Sequence, residues 1–330
     1  MAAIGGGGSG SQANDSQDNI QQHHLESFDS EKKVASDPRD IDDTKSIPRL
    51  TLMEEVLLLG LKDKQGYLSF WNDSISYALR GCIVMELAFR GRIAMVKDAN
   101  RRKYPLSDRL IEVINDKLTG EVLLDEALKM MKVSDKMSVA SWIDLMSGET
   151  WNVMKIGYQL KQVRERLAKG LVDKGILRTE KRNFLLFDMA THPVADTAVK
   201  TNLVKLVCTM LTSRMSPQSI ETATNIPFAY LRAVSMICAA YAANVLENAL
   251  LFLEPDSREQ AFSKVDELMN DYSAWPFAGE GGKLEIPSGA DLSIEVVASV
   301  LNVLTKMDAI VRLIVKSKPA DFFFCFFLQL

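Results

Sequence analysis

From Leu50 onward, apolar residues recur at steps of three to four between short polar breaks, the pattern of helices that each bury one face. Leu50–Lys62 is the first, with Thr51 at its N-cap and Glu54 three residues on completing a capping box. Asp63-Lys64-Gln65-Gly66 is a turn, and Tyr67–Trp71 a short aromatic run. Asp73 or Ser74 caps a helix over Ile75–Phe89. Gly91–Met95 suits a strand, and Asn100–Lys103 a basic loop. Helices follow over Glu121–Met131 and Ala140–Met146, and Thr150 caps one that begins at Trp151. Ile156, Leu160, Val163, Leu167 and Leu171 mark a helix that Gly175 ends. Two β-prone runs, Gly175–Thr179 and Asn183–Asp188, then flank a polar turn Glu180-Lys181-Arg182, which predicts a hairpin. Val199–Ser213, Ser219–Asn225, Phe228–Leu253, Arg258–Asp271 and Ile294–Val315 are helical, with a glycine-rich loop over Phe277–Pro287. The fold class is therefore mainly α, with a few short strands.

Residues 1–48 break this pattern. They hold Gly5–Gly8 and many Ser, Gln, Asn and Asp, too little apolar area to offset chain entropy, so they are expected to be a disordered tail. The other end departs as well. Residues 312–330 carry Phe322-Phe323-Phe324-Cys325-Phe326-Phe327-Leu328, too short to span a bilayer. Cys325 stands sixth from the end, so it forms no prenylation box. The segment is an atypical apolar extension, read first as a read-through or mis-spliced end and second as extra membrane anchoring.

Composition narrows the function. The net charge is -4 and the isoelectric point about 5.6, so an anionic partner must be met by a local basic patch. Cys82, Cys208, Cys238 and Cys325 form no CxxC pair; Cys82 and Cys238 lie in apolar runs and suit reduced core thiols. Two of the three histidines lie in the tail, which leaves no His-based metal or catalytic site. Met1–Gln22 lacks the apolar core of a signal peptide. Leu231–Leu253 is interrupted by Arg232, Asn244, Glu247 and Asn248, which reads as a buried helix and not a membrane span. There is no GxSxG, HExxH or phosphate-binding P-loop, and the paired acids Glu54-Glu55 and Asp125-Glu126 suit solvated helix faces. No enzyme signature and no cofactor are indicated.

The basic stretch over 158–193 is more informative. At about 100° per residue, Lys161 and Arg164 fall on one flank beside the apolar stripe, with the small Ala168 between them in angle, while Arg166 and Lys169 face solvent. That flank suits a pocket for a phosphorylated headgroup. Periodicity alone favours two side chains snorkelling from a core-facing helix and pairing with nearby acids. Phe184-Leu185-Leu186-Phe187 is too apolar for a solvated hairpin, and a core strand, a membrane contact or a subunit interface would each cover it. A helix followed by a basic hairpin also resembles the end of a winged-helix domain, which would bind nucleic acid; the acidic total opposes that.

Seven ordered stretches carry a more specific resemblance. They are Leu52–Asp63, Gly66–Asp73, Leu79–Cys82, Gly120–Leu128, Ser147–Asn152, Val163–Lys169 and Asn183–Met189. Over about Leu50 to Val311 the chain resembles the Golgi phosphoprotein three family, including its fungal vacuolar-sorting members. The resemblance implies a single-domain helical bundle over 49–311, wrapped by amphipathic helices and loops, with one prominent β-hairpin. It implies a peripheral protein on the cytoplasmic face of Golgi membranes, with a cytosolic pool, that binds phosphatidylinositol 4-phosphate. The family's headgroup residues fall on Trp71, Arg80, Lys161 and Arg164. In that reading Arg80 and Arg164 grip the phosphate with planar forks, Lys161 adds a point charge, and Trp71 packs on the inositol ring or dips into the headgroup layer. Phe184, Leu185, Leu186 and Phe187 fall on the hairpin implicated in self-association into a homo-oligomer and in membrane contact. The family acts as an adaptor and not an enzyme, retaining glycosyltransferases by linking their cytosolic tails to the coatomer coat. The coatomer contact of relatives uses an Arg cluster in the N-terminal tail, where this chain has Lys32-Lys33 and Arg39 alone.

Overall fold

The computed structural model describes residues 48–68, 73–150, 152–184, 187–213, 215, 217–279 and 284–317, within one unit that begins at Pro48. The first helix, α1 (Leu52–Gly60), starts where its capping box lies: Thr51 Oγ1 accepts from Glu54 N, and Glu54 Oε2 accepts from Thr51 N at 2.9 Å. The second, α2 (Asp73–Phe89), is buried at every position from Ala78 to Ala88, polar ones included. A helix buried on all sides lies at the centre of a bundle. Around α2 pack α1, β1 (Ile93–Met95), α3 (Val122–Val133), α4 (Val139–Ser147), α5 (Val163–Asp173), α8 (Ala229–Ala242) and α11 (Asp291–Ser317). Of these, α8 is buried at every residue except Tyr241. A layer of α6 (Thr197–Thr212), α7 (Pro217–Thr224), α9 (Glu247–Leu250) and α10 (Pro255–Tyr272) joins this centre. The fold is a mainly α single domain, as the apolar spacing indicates.

Close approach at the centre depends on glycine. A Cβ on Gly81 would stand 3.1 Å from Val300 of α11, and one on Gly60 2.9 Å from Val245. Two carboxylates buried inside the bundle are each paired with two arginines. Glu86 of α2, fully buried, accepts from Leu52 N at 3.0 Å and bridges Arg232 at 2.8 Å and Arg90 at 2.9 Å. Glu295 of α11, also fully buried, binds Arg101 at 3.1 Å and Arg109 at 2.7 Å. Cys82 and Cys238 are buried free thiols, as the apolar runs suggest, and burial raises both, Cys238 to about 12, so they stay protonated.

Several boundaries differ from the sequence pattern. Strand β1 has an antiparallel partner, β2 (Ile111–Val113), too short to register as a periodic run. The apolar run over 228–253 breaks after α8, where Asn244 takes φ 56°, and resumes as α9. The hairpin pairs β3 (Glu180–Phe184) with β4 (Phe187–Thr191), with Glu180↔Thr191 and Phe184↔Phe187 as its outermost partners. Glu180-Lys181-Arg182, expected as the turn, therefore lies in a strand, and the strands join across residues 185 and 186, outside the described residues. The register explains the shift: the polar residues of β3 pair with the mixed residues of β4, and the apolar four fall at the far end. Helix α11 runs to Ser317 with no break at residue 312. Among the described residues, no helix is long and apolar enough to cross a membrane.

Candidate functional site

The site forms where the connection from α4 to α5 meets α2. Gly148, at φ 88°, ends α4 in the left-handed conformation, and a Cβ there would stand 2.4 Å from Gln159 Nε2. The connection then makes a 3-10 turn over Val153–Tyr158, started by Asn152, whose Oδ1 accepts from Met154 N at 3.0 Å. Asn152 is one residue beyond the helix start expected at Trp151, a residue that lies outside those described. Leu160 N returns to donate to Met146 O at 3.0 Å, which closes the loop onto the end of α4.

Gln162 then takes φ 52°, and only after it does α5 begin. The continuous helix expected from Ile156 to Leu171 is thus interrupted. Leu160, Val163, Leu167, Ala168 and Leu171 are buried as the wheel requires, but Ile156 is 48% exposed on the 3-10 turn. The left-handed residue is the physical reason, because a right-handed helix cannot pass through it. Lys161 consequently sits in the turn before α5, exposed, and does not share a helical flank with Arg164. Arg164 lies in the first turn of α5, half-buried. Arg166, expected to face solvent, is half-buried and paired with Glu126 of α3. Lys169 is exposed as expected.

Arg80 is the buried member of the set, at 5% exposure. Its Nε donates to Met146 O at 3.2 Å, its Nη1 to Ser76 O at 3.0 Å and Ser76 Oγ at 2.6 Å, and its Nη2 to Leu160 O at 2.6 Å. Four of its five N–H groups are therefore engaged among the described residues. One Nη2 hydrogen remains, so the planar fork expected of Arg80 is already closed on protein oxygens. Burial first, and then the positive charge of Arg164, push its guanidinium down to about 10, against the opposing pull of Glu165. Ser76, Met146 and Leu160 were not legible as site residues. Of these, Ser76 alone had a sequence signal, since it stands one helical turn before Arg80.

Trp71 lies outside the described residues, as do Leu185 and Leu186. For Phe184 and Phe187 the backbone pairing alone is described. The segment carrying Trp71 leaves from a fixed point: Gly66, at φ 70°, accepts through its carbonyl from His192 N at 2.9 Å, which ties the α1–α2 connection to the exit of the hairpin. The structure thus brings together Arg80, the backbone of Leu160, and α5 with Arg164, and sets Lys161 one residue beyond Leu160. Among the described residues no group of His, Cys, Asp and Glu could hold a metal ion.

The family model described as Golgi phosphoprotein 3 (GPP34) matches residues 52–281. The chain is 59% identical over 308 residues to vacuolar protein sorting-associated protein 74 of Schizosaccharomyces pombe, covering 87% of this chain and 91% of that protein. It is 50% identical over 299 residues to the protein of the same description from Eremothecium gossypii, covering 84% and 89%. Both matched spans are long enough to include α2, the α4–α5 connection and the hairpin.

Proposed function

Since the chain belongs to the Golgi phosphoprotein 3 (GPP34) family, we propose that it is a peripheral adaptor of Golgi membranes that holds the headgroup of phosphatidylinositol 4-phosphate between α2 and the α4–α5 connection. The observation that carries the reading is the geometry around Leu160: its carbonyl holds Arg80 at 2.6 Å, the exposed Lys161 follows it, and Arg164 stands in the first turn of α5. Positive charge gathered on so short a stretch is what a dianionic phosphate monoester would relieve, and the lowered basicity of Arg80, due to burial and then to Arg164, agrees with it. In this reading Arg164 supplies the fork, Arg80 one N–H and its charge, and Lys161 a point charge from the exposed turn. Trp71 would pack against the inositol ring or enter the headgroup layer.

The same reading assigns the chain a place in vacuolar sorting and Golgi vesicle traffic, consistent with the names of its relatives. It would retain glycosyltransferases by binding their cytosolic tails and the coatomer coat, and self-associate through the hairpin residues Phe184, Leu185, Leu186 and Phe187. One headgroup gives modest affinity, so binding is reversible and gains from oligomers.

Vesicle pelleting with and without phosphatidylinositol 4-phosphate tests the proposal. Wild type should pellet only with the phosphoinositide, and Arg164→Ala should lose that dependence. Retained lipid-dependent pelleting by Arg164→Ala would sink the site. A salt-sensitive DNA mobility shift without lipid binding would favour the winged-helix alternative.

A further inference from the structure

The 3-10 turn over Val153–Tyr158 has a composition that a soluble loop does not need. Val153 is 76% exposed, Met154 87% and Ile156 48%, with Lys155 exposed between them. Three large apolar side chains in four residues stand in water, although Leu160 of the same connection and Val163 at the start of α5 are buried. The turn is held in this state from both ends. Lys155 N donates to Asn152 O at 2.8 Å and Gln159 N to Ile156 O at 3.1 Å. Tyr158 is fixed by a 3.2 Å hydrogen bond between its hydroxyl and Ser134 Oγ, and by a T-shaped contact with buried Trp142 at 5.9 Å between centroids. The turn is therefore a preformed knob of exposed apolar side chains.

We infer that Val153, Met154 and Ile156 form a wedge that enters the lipid layer of an anionic membrane beside the headgroup site. Charge complementarity selects the membrane as occupant. Lys155 stands within the apolar set and Lys161 five residues after Ile156, both exposed. Cations flanking apolar side chains are the arrangement that partitions to an interface, with the apolar groups reaching about 5–10 Å into the headgroup and acyl boundary. Continuity places the wedge at the site: the turn runs through Gln159 directly into Leu160, whose carbonyl is bonded to Arg80. A headgroup held at Arg80 and Arg164 would bring the membrane surface to the turn, so the position of the wedge rests on the proposed function.

The test uses the full chain and phosphatidylcholine vesicles with and without phosphatidylinositol 4-phosphate. Met154→Asp should weaken pelleting with the phosphoinositide vesicles tenfold or more, with the melting temperature unchanged because the side chain is exposed. Met154→Trp should show indole emission quenched by brominated acyl chains. Normal pelleting by Met154→Asp together with an unquenched Met154→Trp overturns the wedge, and assigns the turn to a protein partner or a second copy. Loss of binding in Arg164→Ala in that same experiment leaves the headgroup site standing. Phosphoinositide-independent pelleting of wild type that Met154→Asp abolishes supports the wedge and overturns the headgroup reading. Wild type that pellets with neither vesicle overturns both.

Discussion

Arg80 Nη2 donates a 2.6 Å hydrogen bond to the carbonyl of Leu160, across 80 residues of sequence. With Met146 O bound to the same guanidinium, α2, the end of α4 and the connection leading into α5 are tied at one point. Arg80→Ala leaves those carbonyls without a charged donor and should cost about 2–4 kcal/mol, read by urea unfolding. Arg164→Ala, at a half-buried position in a first helical turn, should cost less than about 1 kcal/mol. A site defect in Arg80→Ala would therefore be mixed with a folding defect, and Arg164 is the cleaner probe.

Gly66 is a second joint. A Cβ there would stand 2.3 Å from Pro193 N and 2.4 Å from the His192 carbonyl carbon, at φ 70°. Both are backbone atoms, so nothing swings aside. Gly66→Ala should destabilise by more than about 2 kcal/mol through strain and overlap together. It should also disturb lipid binding by moving the segment that carries Trp71. Unfolding midpoints and vesicle pelleting measure the two effects separately.

Glu55 gives a pH dependence of known sign. Burial, with the charges of Glu86 and Glu54 and against the pull of Arg232, pushes its carboxyl from 4.5 up to about 8. Between those values the native state keeps a proton that the unfolded chain has released. Stability therefore falls as pH rises from about 4.5 to 8 and levels off above, by an amount on the order of a few kcal/mol for this group. Glu55→Gln should flatten that slope and be more stable than wild type at pH 8, as thermal melts across pH would show.

Glu86 should resist change in the opposite way. Removing its carboxylate strands Arg232 and Arg90 beside α2, and Glu86→Ala should cost about 3–5 kcal/mol. Replacing both partners, as Glu86→Leu with Arg232→Met, should recover much of that loss. No recovery in chemical denaturation would show that the Leu52 amide, also bound to Glu86, dominates.

The helices around α2 were legible because burial on one face imposes a repeat that single residues cannot hide. The capping box at Thr51 and Glu54 was legible for a local reason, since both partners lie within four residues. The α4–α5 connection misled. Ile156 and Leu160 keep helical spacing with Val163, yet Gln162 turns left-handed between Leu160 and Val163, and Met146 captures the Leu160 amide, a contact no periodicity encodes. The wheel put Lys161 and Arg164 together through a helix that does not exist there, and the chain keeps them near one another by a turn instead. Arg80 was singled out by resemblance alone; its oxygen partners are backbone carbonyls and one serine, which leave almost no mark on a sequence.

The carbonyls around Arg80 also act as an inspection step. The guanidinium is held in place by Met146 and Leu160, so any anion it meets is met by a chain whose α4–α5 connection has already docked on α2. A copy that has folded its helices but not closed this connection would offer a wandering charge in place of a formed receptor. Headgroup capture, as proposed, would then select molecules by maturity as well as by ligand.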